Sequence, residues 1–182
     1  MAVPQSISAV EDGRIIALIA LMKYGGNTWG GRVDMYNVDG SRDRSADLPG
    51  YVRNPWCLAY PSRMTFAITY GSYKYGVICI DIEGRLLAKC DIGLTMPRST
   101  VYDKEANSLI VADVDRNRLV RFNMKLELHS VLYSWDGNSD DDNNQPMRMS
   151  LDEKRGRLFV GMKSGRVSLF HTRNRKSAVH EA

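Results

Sequence analysis

Basic and aromatic side chains recur around short apolar runs, and such side chains could bind a nucleic acid or a protein. Eight of them form the candidate partner-binding set: Arg98, Arg116, Arg118, Arg148, Lys163, Arg166, Trp56 and Tyr73. Guanidinium groups fork onto phosphate or carboxylate oxygens, and aromatic rings stack on bases. Arg, Tyr and Trp are also enriched in protein interfaces. The set is compatible with RNA binding and with protein binding. A third alternative is that the basic residues form a solvated surface and several of the aromatic residues belong to the core.

Patterns for catalysis and metal binding are weak. The three histidines, His129, His171 and His180, have no metal-ligand spacing. The acidic loop 136–145 alternates Asp and Asn as a calcium loop does, but it lacks the glycine and glutamate that such a loop needs at its sixth and twelfth positions. Neither a Gly-x-Ser-x-Gly elbow nor a phosphate-binding glycine loop occurs. We expect no catalytic residue, no cofactor and no bound metal.

Composition places the chain among ordinary globular proteins. With 182 residues, 43% hydrophobic and 25% charged, it is unlike disordered, collagenous or coiled-coil chains, and one domain is expected. The net charge of +4 permits an anionic partner without requiring one. The longest apolar run, Ile15–Met22, is too short to span a bilayer. Three cysteines without metal spacing and the absence of a glycosylation sequon favour a cytoplasmic location without a membrane.

Two sets of landmarks show that the sequence repeats. Pro55, Pro97 and Pro146 each open a similar stretch, and they lie 42 and 49 residues apart, the second step containing the acidic loop. Each repeat also contains an apolar run with an aromatic or aliphatic residue at its centre. These central residues lie 44, 42 and 48 residues apart: Tyr36, Ile80, Phe122 and Phe170. One period in two independent landmarks predicts about four repeats.

Each repeat is predicted to form four short strands. In the third repeat these are Arg98–Asp103, Ser108–Asp113, Arg118–Met124 and Glu127–Tyr133. The middle strands are apolar at consecutive positions, which is typical of strands covered on both faces; Ile15–Met22 is the one segment that could instead be a helix. We therefore predict an all-β propeller of about four antiparallel four-stranded blades. The expected blades are approximately 6–50, 54–95, 96–145 and 146–182.

One stretch resembles a known repeat family. Val111-Ala112-Asp113 followed by Asn117-Arg118-Leu119 is similar to an NHL repeat, with arginine where that repeat has histidine. The last repeat, from Pro146, resembles the closing blade of NHL domains in tripartite-motif-like proteins. The resemblance implies a six-bladed propeller, which needs about 260 residues. The chain would then be the C-terminal part of an incomplete, open propeller, able to associate with itself through an uncovered first blade.

The resemblance also implies a non-enzymatic recognition module that reads a protein or RNA target. Ubiquitin-ligase chemistry in such proteins comes from a zinc module, and no Cys-x-x-Cys pair occurs here. In a propeller the linkers between blades and the turns between second and third strands share one rim, which would collect the basic and aromatic set. NHL domains present the loop around Asn117 to partners, so Arg116 and Arg118 are the leading contact residues. The alternative is that Asp113 and Asp115 pair with them and hold the loop.

Two other functional classes remain open. A propeller enzyme of lactonase or lyase type is the main alternative, since some six-bladed propeller enzymes hold calcium through carboxylates at the inner strand starts. The matching starts, 55–57, 97–99 and 146–148, contain no carboxylate, which disfavours this class. An extracellular receptor propeller is disfavoured by the absence of the Tyr-Trp-Thr-Asp strand of that family.

Overall fold

Alternating strands and short polar turns fold into four sheets in the computed structural model, which describes residues 1–9, 12–22, 28–62, 65–135, 144–172 and 180–181. Blade 1 contains β1 (Ala2–Ala9), β2 (Ile15–Met22), β3 (Thr28–Tyr36) and β4 (Arg42–Asp47). Blade 2 contains β5 (Pro55–Ser62), β6 (Thr65–Gly71), β7 (Tyr75–Asp81) and β8 (Leu86–Cys90). Blade 3 contains β9 (Pro97–Asp103), β10 (Ser108–Asp113), β11 (Arg118–Asn123) and β12 (Leu128–Ser134). Blade 4 contains β13 (Pro146–Asp152), β14 (Arg157–Met162), β15 (Val167–His171) and β16 (His180–Glu181).

Every blade is an antiparallel meander in which sequence neighbours pair. The first strands β1, β5, β9 and β13 contact one another in series and form the inner wall, so the blades stand around a common axis. The described helical structure is a single 3-10 turn, Val114–Arg116, and no described helix has the length and apolarity needed to cross a membrane. The predicted all-β propeller with four antiparallel blades is confirmed, and Ile15–Met22 is a strand.

The continuous apolar runs are buried because each blade packs on both of its neighbours. In β10, Leu109 and Val111 join the core between blades 2 and 3, whereas Ile110 and Ala112 join the core between blades 3 and 4. A third cluster, centred on Phe66, joins blades 1 and 2. Within the described ranges no such cluster joins blade 4 to blade 1. The inner strands β1 and β13 are also not in extended contact, so the described blades form an open arc.

The outer face of blade 1, which points away from blade 2, has a polar centre. Asp34 is fully buried there, and its carboxylate accepts hydrogen bonds from Ser45 Oγ at 2.6 Å and from Arg32 Nε at 3.0 Å. Blades 2 and 3 have Ile78 and Val120 at the equivalent position of the third strand. Blade 1 thus has the hydrogen-bonded Asp34 carboxylate at the position where blades 2 and 3 have an apolar side chain packed against the preceding blade. Self-association through blade 1 stays a prediction.

Candidate functional site

The linkers between blades and the turns between second and third strands meet on one side of the arc, which we call the linker face. In blades 2, 3 and 4 this turn donates a backbone N–H to the carbonyl of the linker that precedes the blade. The three hydrogen bonds are Gly71 N to Asn54 O (3.2 Å), Val114 N to Met96 O (3.1 Å) and Lys163 N to Gln145 O (2.9 Å). The shared rim expected from the repeat pattern is therefore present in the structure.

A basic and aromatic stack lies at the start of two inner strands. Trp56 and Arg98 are each the second residue of their strands, β5 and β9, and the guanidinium carbon of Arg98 lies 5.4 Å from the Trp56 ring centroid. Tyr75, at the start of β7, also packs against the indole, with ring centroids 6.0 Å apart and ring planes tilted by 33°. Gly71 permits this contact, because a Cβ there would lie 2.5 Å from Trp56 Cη2. The sequence predicted the shared face but not this cation–π contact.

Arg98 is half-buried, and its charge is not committed to a carboxylate. Its Nε is buried without a hydrogen-bond partner in the described part of the chain, and no described carboxylate forms an ion pair with it. Tyr73, in the turn beside Tyr75, is 92% exposed. The guanidinium is thus held by an aromatic ring, which leaves hydrogen-bonding capacity for a ligand at its outer nitrogens.

Arg116 and Arg118 lie together, but both contact the linker between blades 2 and 3. Arg118 Nε donates to Asp113 Oδ2 at 2.9 Å, and both arginines donate to the carbonyl of Gly93. Asp113 is fully buried and also accepts from the backbone N–H groups of Thr95 and Met96, at 2.8 and 3.1 Å. The geometry of Arg118 matches the loop-holding alternative. A partner contact by either arginine stays a prediction.

The remaining candidates are exposed side chains on the same face. Arg148 is the third residue of β13, and Lys163 and Arg166 lie in the β14–β15 turn. Arg53 and Lys74 are exposed in a linker and a turn of blade 2. The structure brings none of these into the Arg98 stack. The repeat pattern also assigns Lys23, Tyr24 and Trp29 to this rim. Lys23, Tyr24, the Trp29 side chain and most of the acidic loop, 136–143, lie outside the described residues.

A second contact between a basic and an aromatic side chain lies on this face, but its basic group already forms an ion pair. Lys89 Nζ lies 4.6 Å from the Tyr51 ring centroid and 2.6 Å from Asp91 Oδ2. The hydrogen bond from Lys89 lowers the pKa of the Asp91 carboxyl. Tyr51 also packs edge-on against Tyr70, where burial raises the pKa of the Tyr70 hydroxyl to about 12. This contact stabilises the linker between blades 1 and 2, so we do not include it in the candidate site.

The inner strands also enclose an axial cavity of about 780 Å³ that sequence reasoning missed. Its wall contains hydroxyl groups from all four blades, among them Ser6, Ser62, Thr100 and Ser150. Turn residues that follow the inner strands also line it, which places its mouth on the side opposite the linker face. These hydroxyls come from separate repeats, and the curvature of the arc around its axis brings them together.

The described His, Cys, Asp and Glu side chains do not gather into a cluster. No group of three or more His, Cys, Asp or Glu side chains in the described segments is arranged to hold a metal ion. The inner strands β5, β9 and β13 begin at Pro55, Pro97 and Pro146, and carboxylates are absent from the first three residues of each. The absence of catalysis and of a metal remains a prediction.

Comparison with solved structures identifies the architecture. No protein-family model matches the chain, and no curated protein matches it either. A chain of the nidogen/laminin complex superposes with a TM-score of 0.67 at 15% identity, over 98% of this chain and 65% of that one. A gluconolactonase from Xanthomonas campestris gives 0.59 at 19% identity, over 86% of this chain and 53% of that one.

A protein from Bacteroides caccae gives a TM-score of 0.64 at 11% identity, over 98% of this chain and 61% of that one. The chain therefore spans less than two thirds of the length of each of these three structures. Both the nidogen and the gluconolactonase structures are β-propellers. At these identities the likeness shows the fold, and the chain is accordingly a four-bladed β-propeller arc.

Proposed function

We propose that the chain is a non-enzymatic recognition module whose linker face binds an acidic segment of a protein partner. The NHL-like stretch around Asn117 supports a target-reading role like that of tripartite-motif-like proteins, in the cytoplasm. The nidogen/laminin structure is a complex between proteins, and it shares only the fold with this chain. The net charge of +4 is modest for a dedicated RNA binder, so a protein partner is the leading hypothesis.

The observation that most supports this proposal is that several basic side chains of the linker face form no ion pair with a described carboxylate. No described carboxylate forms an ion pair with Arg53, Lys74, Arg98, Arg148 or Arg166, whereas arginines elsewhere, such as Arg85 and Arg155, do have acidic partners. Arg98 is also backed by Trp56, and Arg and Trp are the residue types most often found at interface hot spots. A carboxylate brought to Arg98 would gain a charge-assisted hydrogen bond without breaking an existing ion pair.

The test uses a fluorescein-labelled oligoglutamate peptide and a labelled oligouridylate, titrated separately with the whole chain. We expect the peptide to bind in low salt and to bind about tenfold more weakly to Arg98→Ala and Trp56→Ala, a loss of ~1.4 kcal/mol. Arg155→Ala is the matched control, because Arg155 is an exposed arginine of the opposite side that pairs with Asp152. Circular dichroism checks that each variant is folded.

Each result decides between the hypotheses. Tighter binding of oligouridylate than of the peptide, lost in Arg98→Ala, would replace the protein partner with RNA. Binding of neither probe, or equal binding by Arg98→Ala and wild type, would overturn the proposed site.

The lactonase-type enzyme is the alternative function. Its support is the fold shared with the gluconolactonase, and the carboxylate-free starts of β5, β9 and β13 weigh against it. Calcium at a catalytic site would bind the native state and raise the melting temperature. A rise of several degrees on adding calcium, together with lactone hydrolysis, would favour the enzyme over the recognition module.

A further inference from the structure

The axial cavity is separate from the Arg98 stack and has no part in the proposed function. Its volume of about 780 Å³ lies in the range of about 300–1,000 Å³ that is typical of small-molecule sites. Turn residues at its mouth include Asp12, Lys104 and Glu153. The carboxylate-free strand starts considered for a lactonase lie at the other end, on the linker face. A ligand in this cavity would therefore occupy a different site from both functions considered above.

The cavity wall formed by the inner strands carries hydroxyl groups and no charge. Four residues of these strands are charged: Arg98, Asp103, Arg148 and Asp152. None of the four is among the described residues that line the cavity. Hydroxyl groups line it from every inner strand: Ser6, Ser8, Tyr60, Ser62, Thr100, Tyr102 and Ser150. A charged ligand would lose its hydration at this wall without meeting a counter-charge, so the wall favours a neutral ligand.

The repeat does not require all of these hydroxyl groups. By strand register, one position of the inner strand is occupied in blades 1 to 4 by Ser8, Ala59, Val101 and Ser150, and all four line the cavity. Blades 2 and 3 have an apolar residue there, so strand pairing does not need the serines of blades 1 and 4. Thr100 is 2% exposed, and its hydroxyl has no hydrogen-bond partner among the described residues. Buried hydroxyl groups are rarely left so unless a bound molecule completes the hydrogen bond.

The wall matches the chemistry of a polyhydroxylated molecule. A hydroxyl group both donates and accepts hydrogen bonds, so it can pair with a ligand hydroxyl in either direction. Leu58, Val101 and Met149 also line the cavity and offer apolar contacts to the C–H groups of a sugar or polyol. We propose that the axial cavity binds a neutral sugar-like molecule, held by hydroxyl groups from all four inner strands. The inference does not depend on the proposed function of the linker face.

Calorimetric titration of the whole chain with four sugars tests the class of ligand. D-glucose and maltose are neutral, whereas D-glucuronate and D-glucosamine keep the glucose ring and add a negative or a positive charge. We expect a neutral sugar to bind, and the two charged analogues to bind about tenfold more weakly. The proposal is overturned if neither neutral sugar binds, or if a charged analogue binds as tightly as glucose.

Two serine variants test the position of the site. Ser8→Ala and Ser150→Ala each introduce the residue that blade 2 has at Ala59, so both variants should fold, as judged by circular dichroism. Each should weaken sugar binding by about two- to tenfold, because one hydrogen bond is lost. Ser134→Ala is the matched control, since Ser134 is exposed at the end of the outer strand β12. Unchanged binding by both folded cavity variants would rule out this site.

The reactivity of Cys57 gives an independent measurement. Cys57 is half-buried and lines the cavity, whereas Cys90 is half-buried in β8, away from it. The two thiols lie on different tryptic peptides, so mass spectrometry follows them separately. The bound sugar should slow alkylation of Cys57 by iodoacetamide and leave that of Cys90 unchanged; equal rates with and without sugar would place binding elsewhere. Arg98→Ala should bind the sugar as the wild type does, which separates this site from the linker face.

Discussion

Replacing Asp113 with alanine is expected to destabilise the chain by about 3–5 kcal/mol. The Asp113 side chain is fully buried, and it neutralises Arg118 while accepting hydrogen bonds from the backbone of Thr95 and Met96. Its removal leaves the Arg118 guanidinium without its carboxylate and leaves linker N–H groups without acceptors. Urea unfolding followed by circular dichroism measures the loss, and the linker between blades 2 and 3 should lose hydrogen-exchange protection first.

The Asp113→Ala result needs two companions to be interpreted. Arg118→Ala should cost less, because the Asp113 carboxylate retains its linker N–H donors. Arg155→Ala breaks an exposed pair with Asp152 and should change stability by no more than about 1 kcal/mol. If Asp113→Ala proved as stable as Arg155→Ala, the buried carboxylate would not be the anchor of this linker, and Arg118 would return to the set of leading partner contacts.

Strand positions were predictable because the blades bury their middle strands on both faces. In the third repeat every predicted strand end lies within one residue of the observed β9, β10, β11 and β12. Runs such as Leu109–Ala112 have no polar face, and that property follows directly from packing between two sheets. The first blade was less well predicted: β1 begins at Ala2, before the expected start at residue 6.

The roles of the candidate site residues were less predictable than their location. Proline at the start of β5 and β9 marked where Trp56 and Arg98 would lie, so their shared face followed from the repeat. The contact between them depends on the distance between adjacent blades, which a repeat pattern does not contain. For Arg118, proximity to Asp113 in sequence allowed both an ion pair and a contact with a partner. The structure shows the ion pair, and the burial of Asp113, which the sequence did not reveal, explains why Arg118 is held there.

The order of unfolding is expected to differ between two matched core substitutions, Leu109→Ala and Leu158→Ala. The two leucines occupy equivalent positions, opposite Phe122 and Phe170 in their blades, and both are buried. Each substitution leaves a cavity and should cost about 2–5 kcal/mol. Their consequences differ because Leu109 lies in the core between blades 2 and 3, whereas Leu158 lies in the core between blades 3 and 4.

In a chain of blades that contact only their neighbours, stability is approximately a sum of blade and interface terms. The described core of blade 4 is shared with blade 3 alone, so Leu158→Ala should release blade 4 before the rest of the arc. Leu109→Ala weakens the middle of the arc and should accelerate exchange on both sides of that interface. Hydrogen exchange resolved by blade distinguishes the two patterns: Leu158→Ala is expected to raise exchange in β14 and β15 while β6 and β7 remain protected. Equal acceleration of hydrogen exchange in all four blades for both variants would contradict this expectation. It would show that the arc unfolds as one cooperative unit, and that the gap between blades 4 and 1 does not weaken the coupling of blade 4 to blade 3.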